Sequence, residues 1–208
     1  DHAMHMSDAL LSPAVGAGFW AVSAAAVGVA AARVRRDTPT GATALAGVMA
    51  AFVFAAQMVN FSIPGTGSSG HLGGGMLLAL VLGPWSGLIA IASVLIVQAL
   101  FFADGGLLAL GANIFNLGVV PCLIILPLVR LLPGARRRPG RLAASGAIGA
   151  WSGLLLGAFM VTLQTLLSGR TELSFGLFAG VMLGIHAAIG LVEGAVTALV
   201  VVFVARSR

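Results

Sequence analysis

The 208-residue chain has no lysine and no tyrosine, one cysteine, and few charges of either sign, only 8% of its residues. Without lysine, a phosphate-binding loop of the form GxxxxGK[ST] is excluded, so any ATP that drives this protein is bound by another subunit. With Cys122 alone, no intrachain disulfide and no multi-cysteine zinc site can form, and Cys122 reads as a small apolar core residue. Soluble domains carry about 25% charged residues, so a water-soluble globular protein is excluded. Intrinsic disorder, which needs high polarity, goes with it. The 29 glycines follow no G-X-Y period, which excludes collagen. What the chain does have is apolar sequence: 59% hydrophobic residues and a mean hydropathy of +1.08. This is the composition of an integral membrane protein, read as a single transmembrane domain over residues 1–208.

Apolar runs predict seven spans, near Pro13–Ala32, Ala42–Phe61, Leu72–Gly83, Trp85–Phe102, Leu107–Leu132, Leu142–Leu167 and Phe175–Ala205. The break at Gly83-Pro84 follows from the effect of proline on the preceding residue. It leaves a third segment too short to cross about 30 Å of hydrocarbon alone. Seven spans gather Arg33, Arg35, Arg36, Arg130, Arg136, Arg137, Arg138, Arg141, Arg206 and Arg208 on one side, with only Arg170 opposite. The positive-inside rule makes that side cytoplasmic, the N-terminus external and the C-terminus internal. Arg136–Arg138 sets topology, with docking of a cytoplasmic partner as the alternative. Arginines in short loops beside apolar runs do not point to nucleic acid. Ala42, Ala46 and Ala50, and Ala26 and Ala30, form small-residue stripes suited to close helix packing.

The outer side collects the candidate ligands: Asp1, His2, His5 and Asp8 in the tail, His71 in a glycine-rich loop (residues 63–75) after the second helix, and Asp104 and Glu172 at other span ends. Histidine is the commonest metal ligand near neutral pH, so a tail histidine and a loop histidine facing one cavity would make a divalent-metal site. Unrelated surface histidines are the plainer alternative. The loop itself is either a flexible connector or a tight turn that aims His71 inward. Within the spans, Gln57, Asn60, Gln98, Asn113, Asn116, Gln164, His186 and Glu193 are costly polar groups. They serve either interhelical hydrogen bonding or a polar path beneath an outer site. His186 is expected in a helix away from the tail, and Glu193 is expected to be paired, protonated or near water, an arginine near the cytoplasmic side being one partner. An intramembrane serine hydrolase using Ser69 with His71 or His186, and an autonomous ion carrier built on His186 and Glu193, are readings of other classes.

Four segments in order, Met4–Pro13 (MHMSDALLSP), Ser62–Gly87, Ala103–Val119 and His186–Thr197 (HAAIGLVEGAVT), resemble the substrate-binding membrane component of cobalt and nickel energy-coupling-factor (ECF) transporters, the CbiM/NikM type. The resemblance covers nearly the whole chain. It implies seven transmembrane helices, an external N-terminus, and Co(II) or Ni(II) as transported substrate. It implies partners as well: a transmembrane coupling protein, cytoplasmic ATPases and a small auxiliary membrane subunit. It also implies a metal site made of Met4, His5 and His71: the amine of Met4, the backbone nitrogen and imidazole of His5, and the imidazole of His71. Such a set forms fused chelate rings and four nitrogens in a plane, suited to Ni(II) and feasible for Co(II); hard cations prefer oxygen. Cobalt, taken up in the plasma membrane for cobalamin synthesis, is the expected cargo. Asp1-His2-Ala3 departs from the pattern, because it removes the free amine of Met4. It reads as an expression scar or a signal-peptide remnant, with recruitment of His2 as a further alternative.

Overall fold

The computed structural model describes residues 5–37, 42–132, 139–171 and 173–206. Met4, His2, Asp1, Glu172, Arg208 and the Arg136–Arg138 cluster lie outside the described residues. Each predicted apolar segment contains one helix. These are α1 (Pro13–Asp37), α2 (Ala42–Gln57), α3 (Gly75–Leu82), α4 (Pro84–Phe101), α5 (Leu110–Arg130), α6 (Pro139–Ser168) and α7 (Phe175–Arg206). Five of them, α1 and α4–α7, are long and apolar enough to cross a membrane by length and composition. At 1.5 Å per residue, the eight residues of α3 reach only about 12 Å. The break falls where proline dictates: Gly83 takes φ +89° and Pro84 opens α4.

The expectation of an all-helical chain needs one correction. Residues Phe61–Ile63 (β1) and Ser68–Gly70 (β2) form an antiparallel hairpin, pairing Phe61 with Gly70, Ser62 with Ser69 and Ile63 with Ser68. Thr66 closes the turn, donating from both its backbone N–H and its hydroxyl to the Ile63 carbonyl. The second apolar run therefore leaves the helix after Gln57 rather than continuing to Phe61. The glycine-rich segment is no loose connector: Thr66, Ser68, Ser69 and His71 are all buried.

The tail is built in as firmly. His5, Met6, Leu10 and Leu11 are buried, and Asp8 accepts the Ala109 backbone N–H at 2.8 Å, at the entry to α5. Over Phe115–Ile125, α5 winds as a π-helix around Pro121, which has no N–H to give to an α-helical ladder. α3 packs against this stretch so closely that a side chain at Gly75 would overlap the Leu117 carbonyl. The tightest pairing of long helices is α6 with α7. There Gly190 lies under Trp151, whose indole donates to the Ala187 carbonyl at 3.1 Å, and Gly194 lies against the backbone of Ala147. Of the predicted alanine stripes, Ala30 is fully buried, whereas Ala46 and Ala50 line an open cleft between α2 and α4.

Candidate metal centre

Two segments far apart in sequence meet beneath the hairpin. The tail delivers His5 and the strand exit of β2 delivers His71, with His5 Nδ1 and His71 Nε2 2.9 Å apart and both rings buried. The rings meet edge to face at 84°. Their other nitrogens have acceptors. His71 Nδ1–H donates to the Leu72 carbonyl at 2.9 Å. His5 Nε2–H donates to Gln98 Oε1 at 3.0 Å, with Asp104 Oδ2 at 3.4 Å. The hydrogen bond made by one ring nitrogen decides which proton the ring carries. With these acceptors outside, the tautomer protonated at Nδ1 fits His71 and the one protonated at Nε2 fits His5. In those tautomers each facing nitrogen presents its lone pair; in the other tautomer of His5 the 2.9 Å contact is an N–H···N hydrogen bond.

Burial favours the neutral form of both rings. It pulls the His71 imidazole well below the usual histidine range, helped by the nearby His5 and His186 rings, against the Leu72 hydrogen bond. His5 is also lowered by burial, against the opposing pull of Asp104 and Gln98. A neutral imidazole is the form that binds metal.

Asp104 reaches the site through a tight exit from α4. Ala103 takes φ +52°, a conformation L-residues seldom adopt, and the backbone N–H of Asp104 returns to the Gln98 carbonyl at 3.1 Å. Gln98 and Asp104 are thus held together beside His5. Of the other predicted ligands, Asp8 is occupied at the start of α5, away from the pair. His186 corrects the expectation that it lies apart from the tail: it lines the same small cavity as His5, His71, Asn113 and Asn116. Asn113 donates to the Met6 carbonyl at 3.2 Å, and Asn116 exchanges two 2.9 Å hydrogen bonds with Gln164. Among the described residues, no group of three or more His, Cys, Asp or Glu side chains converges in metal-holding geometry. Any ion held by the two imidazoles would need donors of other kinds besides them.

Glu193 has a partner that side-chain reading does not reveal. Its carboxylate accepts the backbone N–H groups of Gly73 at 2.8 Å and Gly74 at 2.9 Å, and among the described residues no arginine pairs with it. Gln57 holds the same turn from the other side, donating to the Gly73 carbonyl at 2.8 Å. Gly74 can serve because its φ of +75° suits glycine, and because a side chain there would strike Val53. Glu193 thus fixes the segment between His71 and α3. Each buried donor left without a partner costs about 1–3 kcal/mol. Glu193→Ala is therefore expected to lower the melting temperature of the purified protein markedly, and Glu193→Gln, which keeps one acceptor, less so. Equal melting of Glu193→Ala and the unmodified chain would contradict this role.

The fold and site define a multi-pass membrane protein with a buried, neutral histidine pair at the junction of its tail and a glycine-rich hairpin. Comparison with known proteins supports the membrane transport class. The family described as the cobalt uptake substrate-specific transmembrane region matches residues 5–208, and the chain belongs to that family. It is 39% identical over 99% of its length to a putative metal transport protein of Haloquadratum walsbyi, covering 91% of that protein. It is 38% identical over 99% of its length to a putative fused nickel transport protein NikMN of Archaeoglobus fulgidus, of which it spans 66%. It is 33% identical over its whole length to the cobalt transport protein CbiM of Geobacter sulfurreducens, of which it spans 61%. The crystal structure of a truncated transition metal transporter superposes with a TM-score of 0.89 at 29% identity, covering 98% of this chain and 99% of that one.

Proposed function

We propose that this chain is the metal-binding subunit of an ECF-type ABC transporter. It captures Co(II) on the outer side through His5, His71 and the amine of Met4, for ATP-driven uptake that feeds cobalamin synthesis. The observation that carries this reading is the spacing of the facing nitrogens. Imidazole nitrogens sit about 2.0–2.1 Å from a bound divalent ion such as zinc. Two of them at a right angle about one ion are therefore about 2.9 Å apart, the separation found between His5 Nδ1 and His71 Nε2. An ion selects the tautomers in which both facing nitrogens present lone pairs. The acceptors on the outer ring nitrogens, the Leu72 carbonyl and Gln98 Oε1, with the Asp104 carboxylate 3.4 Å from His5, are of the kind that orient metal-binding histidines. The backbone nitrogen of His5 and the amine of Met4 would complete four nitrogens.

Ni(II) in the same site is the second reading. It is favoured by the preference of that ion for planar nitrogen sets and by the names of the fused nickel transport relatives.

The role of partners is tested by reconstitution. The purified chain is expected to bind metal without hydrolysing ATP. With its ATPases and coupling protein in vesicles, uptake is expected to follow ATP. Uptake that persists without the ATPases would instead support an autonomous carrier.

Seven spans with the N-terminus outside place the Arg170 loop outside and the C-terminus inside. A reporter fused after Arg208 is expected to read cytoplasmic, and an accessible tag beside Arg170 external. Both on one side would refute that topology.

A further inference from the structure

The cavity beneath the histidine pair holds donor atoms that the four-nitrogen site leaves unused. It measures about 30 Å³, space for one or two waters. His71, His186, Asn113 and Ser68 share its walls. His186 Nδ1–H donates to the Met182 carbonyl at 2.8 Å, which leaves the lone pair on Nε2. Asn113 uses its amide nitrogen on the Met6 carbonyl and retains Oδ1 as an acceptor. Ser68 contributes its backbone N–H to Thr66 Oγ1 and retains its hydroxyl.

We propose that this cavity is a second, transient coordination site for the same divalent ion, formed by His186 Nε2, His71, Asn113 Oδ1 and Ser68 Oγ. The ion enters it by exchanging the tail nitrogens for His186. The inference rests on the metal-capture reading above. Two imidazoles with two neutral oxygens suit borderline divalent ions. The set carries no negative charge, so the ion is held weakly, as a station on a path must be. A cavity with room for about two waters cannot take an ion with its full hydration shell, so the ion arrives stripped and is handed over ligand by ligand. His71 is common to both sites and never has to release it. His186 lies eleven residues into α7, about 16 Å along the helix from Phe175. Because His5, His71 and His186 line one cavity, the exchange moves the ion off the tail by no more than the width of that cavity.

The test uses the full chain with the tail imidazoles removed (His2→Ala with His5→Ala), titrated with Co(II) alone and followed by equilibrium dialysis and visible absorption. This protein is expected to bind Co(II) weakly, with a spectrum reporting imidazole ligation. Adding His186→Ala, or His186→Asn if alanine lowers the metal-free melting temperature, is expected to weaken that binding at least tenfold and remove the spectrum. Equal affinity with and without His186 overturns the second site. A tail variant that binds as tightly as the unmodified chain overturns the outer-site reading instead, whatever His186 does.

Discussion

Replacing His71 with alanine is expected to weaken Co(II) and Ni(II) binding at least hundredfold, and replacing His5 to do the same. Each change removes one of the two ring nitrogens that face each other across 2.9 Å. Losing a hydrogen-bond partner behind a metal ligand already costs about 10–100-fold in affinity, so losing the ligand costs more. The acids Asp8 and Glu193 offer no substitute. Asp8 is held by Ala109, and Glu193 is held by Gly73 and Gly74. Isothermal titration of purified variants checks the prediction, with metal-free melting curves to show that the fold survives. Affinity within a few-fold of the unmodified protein in His71→Ala would remove this histidine from the site.

The second large effect concerns the residues ahead of His5. If the amine of Met4 is a ligand, protein beginning at Met4 is expected to bind at least tenfold to a hundredfold more tightly than protein beginning at Asp1. Joined to Ala3, the Met4 nitrogen is an amide that offers a lone pair only after losing its proton, as the His5 nitrogen must, so the longer form exchanges a ready amine donor for a second amide to be deprotonated. The longer form has one rescue: the amine of Asp1 and the imidazole of His2 repeat the same chelate three residues earlier. Titrating the Asp1 form, the Asp1 form with His2→Ala, and the Met4 form separates these cases. Equal binding by all three excludes the amine. Loss confined to His2→Ala shows that His2 has taken the place of His5.

The helices were legible because long apolar runs can be little else, and the Gly83-Pro84 break because proline acts on its neighbour whatever surrounds it. The hairpin was not legible. Two strands of three residues carry no periodicity, and Gly65, Gly67 and Gly70 suit a loop as well as a turn. The histidine pair was visible only as two candidates on one side; its assignment came from family resemblance, and the 2.9 Å contact came from the fold. Glu193 stood out as a buried acid, but its partners are backbone amides, which leave no mark on side-chain chemistry. His186 was misplaced for a related reason. The sequence shows that it shares a helix with Glu193, but not that the hairpin carries His71 down to its level. Gln98 stood out as a costly polar group in a span. Its function as the acceptor behind His5 depends on the turn at Ala103, which no local rule anticipates.

X-ray absorption of the Ni(II)-loaded protein tests the central claim most directly. The account predicts a first shell of about four nitrogen donors near 2 Å, with the multiple-scattering signature of two imidazoles, reduced to one in His71→Ala. A six-coordinate, oxygen-rich shell without imidazole scattering would contradict it.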